Sequence, residues 1–136
     1  MYKCEHFVIQ ELVPQHVYED RGWRAWELLD DRALLTLDLL RKEFGATIVN
    51  NWHTGGDRGW SGLRTSLSPY GTQYSQHRLG QAFDCIFPHR ASEDVREHVL
   101  AHPEEFPFIR ELELGISWFH FSVGNRRGGG IFTYNP

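Results

Sequence analysis

Residues 74–84 read YSQHRLGQAFD, and the fold is best approached from this stretch. Gly80 lets the chain turn sharply between a loop that carries His77 and a strand that carries Asp84. The run AFDCIF at 82–87 predicts a core strand. Strand alternation puts Ala82 and Asp84 on one face and Phe83, Cys85 and Phe87 on the other. The small Ala82 leaves space beside Asp84, and a carboxylate flanked by Phe83 and Cys85 is costly to bury unless a cation compensates it.

Downstream, ISWFHFSV at 116–123 predicts a second such strand. Phe119, Phe121 and Val123 share one face; Trp118, His120 and Ser122 share the other. If the two strands are neighbours, His120 meets Asp84 across the sheet. His77, Asp84 and His120 then supply two imidazoles and a carboxylate, a three-ligand zinc set with a position left open for water. With eight histidines in the chain, geometry alone leaves a second reading open, in which His77 is a loop histidine and His120 a satisfied core histidine.

Working outward, residues 5–13 (EHFVIQELV) predict a short strand ending at Pro14, and 23–29 a small helix. Asp30 and Asp31 can cap a helix over 33–44 that stops at Gly45. Its leucines and Phe44 form a broad apolar face. The β-branched run ATIVNN at 46–51 predicts a buried strand. From 52 to 76 the chain is a glycine-rich loop, long enough to suggest function. Its Trp52, Trp60, Tyr70 and Tyr74 either line a groove for a sugar or peptide or pin the loop to the core. Ser92 can cap a helix reaching about 101, closed by Pro103, and 130–134 suggests a fourth strand. Arg126 and Arg127 beside glycines read as a solvated turn. The expected class is α+β: a single domain, 1–136, with a small, mainly antiparallel sheet and flanking helices.

Bulk properties remove several functions. With 136 residues and 40% hydrophobic content the chain can build one core. A formal charge of −4 leaves no basic excess, so nucleic acid is not an expected partner. No apolar run is long enough to span a bilayer, and the first residues mix Lys3, Glu5, His6 and Glu11 instead of forming a signal peptide. The expectation is a protein made and folded in a cytoplasm, with action elsewhere requiring delivery or membrane breakage. Two cysteines, Cys4 and Cys85, exclude a disulfide framework or a cysteine-rich zinc site and read as reduced, buried thiols. The glycine clusters do not follow a strand-to-helix phosphate loop.

Ser75, His77, Gly80, Ala82 and Asp84, followed by Trp118 and His120, form SxHxxGxAxD and WxH. This pattern resembles the zinc D-alanyl-D-alanine carboxypeptidase and endopeptidase family, which includes many phage endolysins and hedgehog-type relatives. SGLRTS at 61–66 is similar to the family's SGYRS stretch, and five fixed positions within ten residues are a specific signal. The resemblance implies a hedgehog/D,D-peptidase-like fold, one zinc on His77, Asp84 and His120, Arg64 acting on substrate or on the attacked carbonyl, and Ser75 and Trp118 at the substrate. It implies hydrolysis of a peptide bond in bacterial peptidoglycan stem peptides. The implied setting is a phage lysis or virion-associated enzyme, made in the host cytoplasm and acting on the wall after lysis or delivery, with virion proteins as further partners.

Two positions depart from the family. Where many members carry Glu or Asp three residues before the second histidine, this chain has Ser117; two residues after it stands Ser122. Glu113 is then the expected general base, reaching the site if Gly115 bends the chain, with Glu111, Asp57 and His53 behind it. The same departures support an alternative: a structural or binding module of a virion that keeps the metal but not the chemistry.

Overall fold

The computed structural model describes residues 1–124, 126 and 128–136. Three α-helices, α1 (Gln15–Arg21), α2 (Asp31–Phe44) and α3 (Ser92–Ala101), accompany four strands, β1 (Ala82–Cys85), β2 (Glu111–Glu113), β3 (Phe119–Ser122) and β4 (Phe132–Tyr134). Helix α2 starts as expected: the Asp30 carboxylate accepts the Arg32 N–H at 2.9 Å, satisfying one of the orphan donors of the first turn. Leu34, Leu37, Leu40 and Phe44 bury its apolar face. Gly45, at φ +83°, ends it.

The sheet runs β1-β3-β2-β4. β3 is antiparallel to both β1 and β2, whereas β2 and β4 are parallel. The α+β class holds, but the sheet is mixed. Phe83, Cys85, Leu112, Phe119 and Phe121 point into one hydrophobic core with the helices; the opposite face of the same strands carries Asp84 and His120. Strand alternation separates the two sets as the sequence implies.

Two local expectations are corrected. Residues 5–13 form no strand; a 3₁₀ turn spans Ile9–Glu11. Ile9, Leu12 and Val13 are buried at helical spacing, and the Glu11 carboxylate accepts the Val8 N–H at 2.8 Å, which closes a turn in place of a ladder. The 46–51 run contributes a single bridge, Ile48 to Ile86. It stops there because Asn50 turns to the loop, donating to Val13 O at 3.1 Å and accepting from Ser61 N at 3.0 Å. Arg126 is exposed outside any helix or strand, and it also pairs with Glu111 at 3.0 Å and lies over the Phe132 ring. Arg127 lies outside the described residues. The helix expected over 23–29 is a 3₁₀ helix, Gly22–Leu28, and α1 and β2 were not anticipated. Both cysteines are free thiols.

Candidate metal centre

Ser75 opens a 3₁₀ turn, Gln76–Leu79, its hydroxyl accepting the His77 N–H at 3.3 Å. Gly80 closes the turn at φ +68°, packed so tightly that a Cβ there would lie 2.3 Å from Leu28 O. No L-residue with a side chain fits both demands. This turn fixes His77, which is buried, with its Nδ1 at 2.9 Å from Gly62 O. A carbonyl only accepts, so Nδ1 carries the proton and Nε2 of the neutral ring presents a lone pair.

Asp84 and His120 face one another across β1 and β3. His120 Nδ1 lies 2.7 Å from Asp84 Oδ1, and His77 Nε2 lies 3.4 Å from the same oxygen. The two imidazole rings are 5.1 Å apart. The three donor atoms lie within 4.8 Å of one another, on buried residues. This group can hold a metal ion, and the donor chemistry fits one. The His77 Nε2 lone pair faces a carboxylate oxygen, an arrangement that needs a proton or a cation between the two. Burial holds His77 below the ordinary imidazole range, against the raising influence of Asp84, which disfavours the proton. Burial pushes the Asp84 carboxyl up, but the neighbouring His120 and His77 imidazoles outweigh it and hold the group well below the usual carboxylate range. Two other His/Glu groupings, around His98 and His102, include exposed acids and are already paired internally as His98–Glu105 and His102–Glu104.

Arg64 braces this centre. It donates through Nε to Trp60 O at 2.8 Å and through an Nη to Asp84 Oδ2 at 3.2 Å, in a pair that is largely buried. Beside it opens a groove of about 420 Å³ lined by Arg58, Trp60, Arg64, Tyr70, Asp84 and Trp118 among others, within the size range of small-ligand sites. Of the loop aromatics, Trp60 and Tyr70 face this groove, while Trp52 pins the loop through a bond to Val13 O at 2.9 Å and Tyr74 is exposed. Trp118 also lines this groove. Ser75 is seen in a capping role.

Glu113 belongs to β2 itself. Gly115, at φ +71°, lies in the turn from β2 into β3, and Glu113, paired with Tyr134, stands one step beyond the Leu112–Phe121 pair. Asp57 lines the groove; His53 is exposed and packs edge-on against Trp52. Sequence reasoning passed over two residues. Arg96, buried, donates to Trp118 O at 2.6 Å and Ile116 O at 2.8 Å, fixing the approach to His120. Tyr134 packs against the His120 ring; burial, together with the charges of Glu113, Glu111 and Asp84, pushes its phenol up to about 12. A helical arginine and a strand tyrosine carry no signal of their own without the strand order.

Comparison of the chain with family models, with curated proteins and with solved structures finds no match in any of the three. The likeness to the zinc peptidases is carried by the motif residues alone. No helix among the described residues is long and apolar enough to cross a membrane.

Proposed function

We propose that the protein is a zinc peptidase that cleaves a peptide bond in the stem peptides of bacterial peptidoglycan, in a phage lysis or virion-associated setting. The observation that carries this reading is the convergence of His77 Nε2, Asp84 Oδ1 and His120 Nδ1 at the wall of an aromatic, arginine-bearing groove. Two imidazoles and one carboxylate are a donor set that suits zinc and leaves coordination positions open.

Zinc, when bound, supplies Lewis acidity towards a carbonyl and lowers the pKa of water. The remaining work falls to the chain. Trp60, Tyr70 and Trp118 hold the substrate against the groove, and Arg64 keeps Asp84 oriented while its other Nη remains without a partner among the described residues. Glu113 accepts a proton from the attacking water and returns it to the departing nitrogen. The water oxygen remains on the carbonyl carbon as part of the new carboxylate, and the electrons of the broken C–N bond leave with the amine.

The test is incubation of zinc-loaded protein with purified peptidoglycan, with mass analysis of the released fragments. Glu113→Gln should lower turnover by roughly 100-fold or more with zinc content unchanged, and His120→Ala should abolish both. Equal activity of wild type and Glu113→Gln would remove Glu113 from the mechanism and direct attention to Asp57. A fully loaded wild type that releases nothing between mildly acidic and mildly basic pH would leave the metal-bearing virion module as the reading, a possibility favoured by the serines at 117 and 122.

A further inference from the structure

The strand registers set four side chains in one row across the sheet. Asp84 pairs with His120, and Glu113 pairs with Tyr134. Leu112 pairs with Phe121 in the antiparallel β2–β3 ladder, so the next step of that ladder sets Glu113 opposite His120. The row therefore reads Asp84, His120, Glu113, Tyr134 from one edge of the sheet to the other, on the face away from Phe83, Phe119 and Phe121.

Tyr134 is two strands from His120, and strands are spaced about 4.8 Å apart, so their backbones are separated by roughly 10 Å. Their rings are nonetheless 6.4 Å apart, edge to face at 78°. The tyrosine leans over Glu113 towards the centre. The side chain is only partly buried, and its hydroxyl makes no hydrogen bond to any described residue. A phenol is protonated at neutral pH and is a donor. Arg64, the other donor near Asp84, has its Nε and one Nη occupied by Trp60 O and Asp84.

We infer that Tyr134 is a catalytic residue of this site, donating its hydroxyl hydrogen to the substrate oxygen that gains negative charge when the peptide carbonyl is attacked. This rests on the peptidase reading above and adds a donor to it. Preorganised donors aimed at developing charge give large rate effects because they need no reorganisation during the reaction.

Tyr134→Phe tests this directly, because it retains the ring contacts with His120 and Phe132 and removes only the hydroxyl. Expected are unchanged zinc content and melting temperature, KM near that of wild type, and kcat lower by roughly 30-fold or more. Independently of turnover, calorimetry on the zinc-loaded protein with a phosphinic pseudodipeptide of D-alanine should show binding weakened by about tenfold or more in the variant. Equal probe binding by the two proteins overturns the inference, as does loss of zinc from the variant, which would make Tyr134 a support of the ligands. If wild type releases no wall fragment but the variant still loses probe affinity, Tyr134 stands as the donor and the peptidase reading falls. If wild type neither releases wall fragments nor binds the probe, both fall; if it releases fragments without binding the probe, an unchanged kcat in Tyr134→Phe overturns the inference and a lowered one supports it.

Discussion

Arg64 commits two of its donor groups to the protein, one to the Trp60 carbonyl and one to Asp84. A planar guanidinium can serve both at once, whereas a lysine offers a compact charge without the fork. Arg64→Lys should therefore retain zinc and most of the stability but lower turnover by about tenfold or more, since Asp84 loses its orientation. Kinetics and a melting curve on the same preparation decide it; a lysine variant with full activity and a lowered melting temperature would make the residue structural. At this scale the directions of His77, Asp84 and His120 were legible, because Gly80, Ala82 and the alternation of Phe119, His120 and Phe121 constrain where each side chain points. The place of Ser75 was not: a serine two residues before a buried histidine reads equally well as a substrate contact or as the cap it is seen to form.

Among the elements, the β2–β3 turn has the most influence on the site. Sequence gave little sign of β2, because Glu111, Leu112 and Glu113 alternate over too short a run to register as a strand. Its pairing with β3 depends on the turn over Gly115 and on Arg96 in α3, whose guanidinium bonds the carbonyls of Ile116 and Trp118 from a buried position. Arg96→Ala should cost about 3 kcal/mol through the carbonyls left unpaired and the space left empty. In a chain of this size that corresponds to a melting temperature lower by roughly 10 °C, measurable by calorimetry. A loss below about 1 kcal/mol would mean that the turn holds without it. The 46–51 run failed as a strand for the opposite reason: its β-branched residues suit a ladder, but Asn50 is drawn into holding the loop at Ser61.

For the molecule as a whole, the buried site makes the metal-free protein sensitive to acid. Unfolded, His77 titrates near 6.5, and burial lowers that value in the folded state. Below 6.5 the unfolded chain gains a proton that the folded chain resists, so stability is full above that pH and declines as the pH falls below it. Asp84, depressed in the folded state, adds a separate contribution that is lost only as the pH falls below 3.8, the ordinary value given for its carboxyl. Melting temperatures in the presence of a chelator should thus fall between pH 7.5 and 5, and His77→Gln should flatten that decline while leaving the steeper loss at lower pH. A flat wild-type profile would contradict the burial argument. The class of the fold and the strand faces of Asp84 and His120 could be read from the sequence, with their pairing following only if the two strands were neighbours; the strand order, the parallel β4 and the position of Tyr134 could not, since each depends on a long-range pairing that no local pattern encodes. The alternation of the strands has a consequence for descent. The face holding Phe83, Leu112 and Phe121 asks for bulk and apolarity, which many residues supply. The face holding Asp84, His120, Glu113 and Tyr134 asks for particular atoms. A lineage can exchange much of the first while keeping the second, so that kinship in such proteins is better preserved in a few polar letters than in the many hydrophobic ones around them.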